Sequence, residues 1–184
     1  MKYITSILFC FLCILPVFAY GKKEARSLSS EYFEIANAYA DLSNYDKAIL
    51  FYQKAATDKT FSNASQYNMA RMYGLKNDWE TAAGILKKLA TDAPENTLIL
   101  RSYGYALASS GHTKQALEIY AQLAQKEPEN PEAQLDYIRL LVFAKEYELA
   151  RSEIEKAIQT FPTAEERNQF ETILKQIDEE TTSK

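Results

Sequence analysis

The side chains that most often carry out catalysis or bind metal ions are scarce in this chain. Its 184 residues include one histidine and two cysteines, so a metal centre built from several histidines or cysteines is excluded. His112 stands beside Gly111 in a stretch that reads as a turn, and a solvated imidazole is a simpler interpretation there than a base or a ligand. The acidic pairs at 165–166 and 179–180 are most simply solvated helix positions.

Longer motifs of known chemistry are absent from the sequence as well. There is no Walker A motif, no glycine fingerprint for dinucleotides, no HExxH and, beyond residue 19, no CxxC. We therefore expect no enzymatic activity, no cofactor and no metal. The net charge of −4 argues against a partner that is a nucleic acid, because such binding needs a basic surface.

Residues 1–19 have the three-part pattern of a secretory signal peptide. Lys2 supplies a positive start, an almost unbroken apolar run covers residues 4–15, and Ala19 precedes the expected cleavage point. The alternative is an uncleaved anchor, since the apolar run is of marginal length for a membrane span. The sequence thus predicts an exported protein of the periplasm or cell envelope, which contacts the membrane only if this segment is retained.

A lipid anchor is not predicted from the same segment. A lipoprotein signal needs a small residue just before the modified cysteine, whereas Cys10 follows a phenylalanine and Cys13 follows a leucine. Residues 20–28 read as a short charged linker that leads into the rest of the chain.

A period of 34 residues dominates everything that follows the linker. Four consecutive windows, 29–62, 63–96, 97–130 and 131–164, follow one another without insertion or deletion. One place in every window is alanine, namely Ala48, Ala82, Ala116 and Ala150. A proline keeps the same step at Pro94, Pro128 and Pro162, with Thr60 in its place in the first window.

Each window reads as two helices joined by a short turn, because apolar residues recur at helical spacing on either side of polar or glycine pairs. The second helices are predicted to begin near Tyr45, Trp79, Thr113 and Tyr147. After the windows, residues 165–184 predict an amphipathic helix that covers the end of the array, followed by a frayed tail from Glu179.

This pattern resembles the tetratricopeptide repeat family. The resemblance rests on the alanine series, on the prolines and on a small residue at the eighth place, which is Ala36, Ala70 and Gly104 in the first three windows. Ile138 departs from it in the fourth window and implies a looser or shifted helix pair. The resemblance implies an all-α, right-handed superhelical α-solenoid of helix-turn-helix repeats with a C-terminal capping helix.

The resemblance and the helical period together place positions 2, 5, 9, 12 and 13 of each window on a concave inner surface. Position 5 holds Phe33, Tyr67, Arg101 and Leu135. Arginines pair with carboxylates, asparagines can hold a peptide backbone, and tyrosines give rigid contact area. The candidate residues of a peptide-binding groove are Asn37, Tyr67, Asn68, Arg71, Arg101, Tyr105 and Arg139.

These features predict a non-enzymatic adaptor or scaffold of the bacterial cell envelope. Its groove would recognise a segment of a partner protein with acidic or C-terminal carboxylate character. One alternative is that the arginines pair with the protein's own carboxylates, such as Glu34 or Asp136. Another is that the chain is a self-assembling structural protomer, or a membrane-tethered accessory subunit of an envelope complex.

Overall fold

The computed structural model describes residues 27–161 and 163–182, and within these ranges the chain contains helices and no strands. The helices are α1 (Leu28–Asp41), α2 (Tyr45–Ala55), α3 (Lys59–Leu75), α4 (Trp79–Asp92), α5 (Thr97–Ser109), α6 (Thr113–Lys126), α7 (Pro131–Phe143), α8 (Tyr147–Thr160) and α9 (Ala164–Thr182). Consecutive helices pack against each other along the whole array, which forms an all-α repeat solenoid. The predicted signal segment 1–19 lies outside the described residues, and Leu28, expected in the linker, already belongs to α1.

The turn inside each helix pair has the same backbone conformation every 34 residues. Its positive φ angle falls on Ser43, Asn77, Gly111 and Lys145. In the first turn the N–H of Asn44 donates to the carbonyl of Tyr39 at 2.8 Å, and the N–H of Ser43 donates to that of Ala40 at 2.9 Å. This is the hydrogen-bond pattern of a Schellman helix end. The helices that follow these turns begin at the four residues that the sequence predicted.

Prolines separate the third and fourth helix pairs from the helices that precede them. Pro94 and Pro128 lie in the turns that separate α4 from α5 and α6 from α7, where the missing N–H interrupts no helix. Thr60 imposes no such break. Asp58 caps α3 by accepting a hydrogen bond from the Thr60 N–H at 2.8 Å, so α3 begins at Lys59, ahead of the expected boundary at residue 63.

Small residues allow the paired helices to approach closely. The alanines that recur every 34 residues and the small residues at the eighth place of the first three windows are all buried. A Cβ atom added to Gly104 would lie 3.0 Å from the Tyr120 ring and 3.2 Å from Ile119. Gly104 therefore occupies a place where α5 and α6 leave almost no room for a side chain.

The fourth helix pair is built differently, as Ile138 indicated. Fewer residues of α7 and α8 approach each other closely than in the other three helix pairs. Ile138 is fully buried in a separate cluster with Ile154 of α8 and Phe170 of α9. Leu135, which the sequence placed on the exposed inner surface, is also fully buried in this cluster, because α9 packs against both α7 and α8.

The last helix covers the end of the array with the predicted apolar stripe. Phe170, Ile173 and Ile177 are buried, and Leu174 is partly buried. The helix extends to Thr182 in the structure, and fraying of the tail from Glu179 stays a prediction. No helix in the described ranges is both long enough and apolar enough to cross a membrane.

Candidate functional site

A groove of about 450 Å³ opens on the inner side of the array, between α3 and α5. Tyr67 and Arg71 of α3 and Arg101 and Tyr105 of α5 line it. Four of the seven predicted residues are thereby brought together, because positions 5 and 9 of adjacent repeats lie side by side on neighbouring first helices.

An aromatic pair forms one wall of this groove. Trp79, the first residue of α4, lies edge-on to Tyr105 with ring centroids 5.2 Å apart and an interplanar angle of 79°, a favourable arrangement for two aromatic rings. Gly74 lets the indole approach α3, since a Cβ atom there would lie only 2.5 Å from Trp79 Cζ3. Tyr105 is 56% exposed, and Leu75, which lines the same groove, is exposed too, so this side of the groove presents apolar surface to solvent.

Arg101 is not a free cation. Its Nε lies 3.5 Å from Asp136 Oδ2, and its Nη2 lies 3.5 Å from Glu127 Oε2. All three side chains are only partly exposed to solvent. For Arg101 the alternative that the arginines pair with the protein's own carboxylates is therefore correct, and Asp136 is one of the two carboxylates named for it.

The pKa values of the two carboxylates near Arg101 are shifted in opposite directions. Burial raises the pKa of Asp136, and the charges of Arg101 and Arg139 only partly offset that effect. Hydrogen bonds from Thr97 and Asn130 lower the pKa of Glu127, and the Asn130 amide donates to Glu127 Oε2 at 2.7 Å. Arg101 thus joins α5 to the turn that precedes α7 and to the middle of α7.

The other two predicted arginines remain exposed. Arg71 Nη1 donates to Asn68 Oδ1 at 3.2 Å, and Arg139 lines an adjoining recess together with Tyr105 and Phe143. Neither arginine is paired with a carboxylate within the described residues. The two exposed cations therefore lie in the two connected parts of the groove, on either side of the Arg101 ion pair.

The remaining predicted residues make polar contacts that connect helices of the array to one another. The Tyr67 hydroxyl lies 3.2 Å from Ser102 Oγ and connects α3 to α5. Asn37 Oδ1 accepts a hydrogen bond from the Tyr52 hydroxyl at 2.6 Å, which fixes α1 to α2. Asn37 and Asn68 are not among the side chains that line the groove; Asn68 contributes to it through Arg71.

Tyr120 forms part of the floor and is buried under the Arg101 ion pair. Its hydroxyl donates to the Arg101 carbonyl at 3.5 Å. Burial raises the pKa of Tyr120 to about 12, and the charge of Asp136 acts in the same direction. The phenol is therefore neutral across the whole physiological range.

Trp79, Leu75 and Asp136 line the groove but are not among the seven candidate residues. Leu75 is at position 13 of its window, which the sequence analysis did place on the inner surface. Trp79 begins a second helix, and positions 2, 5, 9, 12 and 13 of a window include only first-helix residues. A usable signal was present, since Trp79 is the one tryptophan of the chain and follows a glycine by five residues. Asp136 was considered as a neighbour of the inner surface and as a possible partner of an arginine, but not as a candidate contact.

The described residues contain no group of three or more histidine, cysteine, aspartate or glutamate side chains that could hold a metal ion. His112 is exposed, with its Nε2 atom 3.7 Å from Glu80 Oε1. It stands at the turn before α6 and lines only a shallow recess formed by its own neighbours.

Sequence comparisons agree with the repeat pattern. Two models described as tetratricopeptide repeat match residues 64–96 and 107–168. An uncharacterised lipoprotein from Treponema pallidum (strain Nichols) is 43% identical over 143 residues, covering 76% of this chain and 72% of the relative.

Several solved structures have a similar fold. A tetratricopeptide repeat protein from Parabacteroides merdae matches with a TM-score of 0.70 at 17% identity, covering 83% of this chain and 60% of that protein. The present chain thus spans about three fifths of that protein's length. MamA from Desulfovibrio magneticus RS-1 matches with a TM-score of 0.64 at 15% identity, covering 84% and 92%. YrrB, described as a TPR protein with an unusual peptide-binding site, matches with a TM-score of 0.57 at 20% identity, covering 71% and 68%.

Proposed function

This chain belongs to the tetratricopeptide repeat family, a family of non-enzymatic protein-interaction repeats, and we propose that it is an adaptor of the bacterial cell envelope whose groove holds a segment of a partner protein. The segment carries apolar side chains and at least one carboxylate. A carboxylate at the C-terminus of the partner and one on an acidic side chain have the same chemistry at this site.

The observation that carries the proposal is the composition of the groove. An aromatic and aliphatic wall, made by exposed Tyr105 and Leu75 and partly buried Trp79, lies between two exposed arginines that have no carboxylate partner within the described residues. Aromatic side chains give contact area at a low cost in conformational entropy. An arginine that is not yet paired can form charge-assisted hydrogen bonds with an incoming carboxylate.

The structure changes which arginines we assign to recognition. Arg101 already has two carboxylate neighbours at 3.5 Å. Its positive charge is therefore compensated, and an incoming carboxylate would also be repelled by Asp136. Arg71 and Arg139 therefore take the recognition role, and Arg101 becomes the residue that positions α5 against α7. This assignment narrows the seven predicted residues to Tyr67, Arg71, Tyr105 and Arg139 as direct contacts.

Location in the envelope is part of the proposal. The signal-like residues 1–19 support export, and the Treponema relative is named a lipoprotein. Phenylalanine before Cys10 and leucine before Cys13 disfavour lipid attachment to this chain. N-terminal sequencing of the protein from its native envelope, together with metabolic labelling by a radioactive fatty acid, distinguishes cleavage after Ala19, a retained anchor and a lipid anchor.

The groove itself is tested by site-specific photo-crosslinking in intact cells. A photoreactive phenylalanine analogue at position 105 should give a discrete adduct with a partner protein, identified by mass spectrometry. The matched control places the analogue at position 149, where Leu149 of α8 is also exposed but does not line the groove. If both positions gave the same adducts in equal yield, the groove would not be the binding site.

Charge reversal then tests the carboxylate. Arg71→Glu combined with Arg139→Glu should lower the yield of the position-105 adduct by about tenfold or more, since a favourable charge pair becomes a repulsive one. A synthetic peptide with the cross-linked sequence should quench or shift Trp79 fluorescence, and its affinity should fall as salt rises. If the double variant keeps the full yield of the adduct, these arginines do not recognise a carboxylate of the partner.

A further inference from the structure

The N-terminal helix carries an apolar stripe that the groove does not use. Leu28, Ile35 and Leu42 are 61%, 39% and 76% exposed. They stand seven residues apart, so they lie along one face of α1 from its first residue to its C-cap. None of the three lines the groove or belongs to a buried cluster. We refer to these three side chains as the α1 stripe.

The stripe has the spacing of a helix–helix seam. Tyr32 and Tyr39 fall between its members, so the apolar positions alternate in steps of four and three residues over the whole helix. This is the heptad pattern with which two helices pack side by side. Both tyrosines pack against Phe51 of α2, whose ring centroid lies 6.0 Å from that of Tyr32 and 5.5 Å from that of Tyr39. The packing of α1 against α2 therefore supports the stripe.

The two ends of the array differ in this respect. At the C-terminal end α9 buries its own apolar stripe and keeps polar residues such as Glu171 and Lys175 exposed. At the N-terminal end no described helix lies over the α1 stripe. A repeat array normally needs a polar outer surface at each end, and exposed apolar surface of this regularity indicates an interaction site.

Charges border the stripe asymmetrically. Exposed Glu31 follows one edge of it on α1. Two lysines of α2 follow the opposite edge: Lys54 Nζ lies 5.3 Å from the Tyr32 ring centroid, and Lys47 Nζ lies 5.0 Å from that of Tyr39. Glu31 and Lys54 are therefore at nearly the same height along α1, on opposite sides of the stripe.

We propose that the α1 stripe binds the same stripe of a second copy of this chain, in a parallel two-fold dimer. A parallel pair of identical helices brings opposite edges together at equal height, so Glu31 of each copy faces Lys54 of the other. An antiparallel pair would bring the lysine edges of the two copies against each other. The polar outer face of α9 offers no apolar complement for a head-to-tail contact.

The dimer is weak and depends on concentration. A helix of this length extends over about 21 Å, and one helix pair buries less area than the roughly 1,200 Å² typical of stable complexes. Because none of the stripe residues lines the groove, the dimer presents two grooves to partner proteins and can raise their avidity.

Sedimentation analysis over a wide concentration range tests the dimer. The chain from Tyr20 onward is suitable, because every buried cluster lies between Phe33 and Ile177. Wild-type protein should sediment increasingly as a dimer, and Ile35→Glu should remain monomeric with an unchanged circular dichroism melting curve. The matched control is Leu98→Glu, an exposed leucine of α5 (59%), which should associate like wild type.

The arrangement is tested by charge exchange and by disulfides. Glu31→Lys should weaken association and Lys54→Glu should restore it in the same chain. The chain from Tyr20 contains no cysteine, so Leu28→Cys and Leu42→Cys should each form a disulfide-linked homodimer on mild oxidation, whereas Leu98→Cys should not. Wild-type protein that stays monomeric at all concentrations would overturn the proposal. So would disulfides that form only when the Leu28→Cys and Leu42→Cys chains are mixed.

Discussion

Arg101 on α5 lies 3.5 Å from the carboxylate of Asp136 on α7, across the floor of the groove. The same guanidinium reaches Glu127 in the turn before α7. This relationship makes Arg101 a polar link between the third and fourth helix pairs, in addition to the apolar contact that Leu140 of α7 makes with the cluster of the third pair.

Replacing Arg101 should therefore affect stability. Arg101→Met leaves Asp136 and Glu127 partly buried without their cation, and we expect a loss of about 1–2 kcal/mol in the free energy of unfolding, between the values for exposed and buried ion pairs. Urea unfolding followed by circular dichroism measures it. Arg71→Met, at an exposed arginine without a carboxylate partner in the described part of the chain, should change stability by less than about 0.5 kcal/mol. Equal losses in the two variants would contradict the structural role of Arg101.

The glycines of α3 and α4 offer a matched pair of substitutions. Gly74→Ala would place a methyl group 2.5 Å from the Trp79 ring, so the indole must move, at a cost of about 1–3 kcal/mol. Gly84→Ala meets nothing within 4 Å and should stabilise its exposed helix position by about 0.5–1 kcal/mol. Thermal unfolding measures both changes. Because Trp79 is the one tryptophan, its emission spectrum should shift in Gly74→Ala alone.

Ser65 of α3 is a buried hydroxyl with no hydrogen-bond partner in the part of the chain that the structure describes. Removing an unsatisfied buried polar group relieves a cost of about 1 kcal/mol or more. Ser65→Ala should therefore raise the free energy of unfolding by about 1 kcal/mol more than Ser109→Ala, which removes an exposed helical hydroxyl and reports only the difference in helix propensity. A smaller gain at position 65 than at position 109 would indicate that the Ser65 hydroxyl is hydrogen-bonded in solution.

Tyr120 predicts a dependence of stability on alkaline pH. Its pKa is raised by burial from 10.0 to about 12 in the folded protein, so between these two values the phenol ionises only in the unfolded chain. Folded wild-type protein is therefore destabilised as pH rises from 10 to 12. Tyr120→Phe should make this loss shallower by up to about 1.4 kcal/mol per pH unit. Urea unfolding at several pH values measures the slope, and an unchanged slope would show that Tyr120 does not titrate in this way.

The amino-acid sequence determined the repeat architecture almost completely. The second helices begin at Tyr45, Trp79, Thr113 and Tyr147 as predicted, and Gly104 stands where a side chain would collide with α6. These features are local. A turn with a positive φ, a proline after a helix and a small residue at a helix contact each constrain the backbone within a few residues.

Where the local pattern was incomplete, the sequence was a weaker guide. Thr60 in place of proline let α3 begin at Lys59, since nothing removed an N–H or blocked the helix there. Leu135 occupies a position that is exposed in a regular repeat, yet α9 buries it. A fixed position in the period predicts exposure only if the neighbouring helices are the usual ones.

Only the tertiary structure decided which predicted groove residues act as free cations and which are already paired. Arg71, Arg101 and Arg139 all occupy positions that the sequence places on the inner surface, but among the described residues only Arg101 lies beside two carboxylates. The physical reason is the distance along the chain over which each kind of interaction acts. Helix formation and close packing within a pair depend on residues near in sequence, whereas the energy of a charge depends on every group within a few ångströms, whatever its distance along the chain.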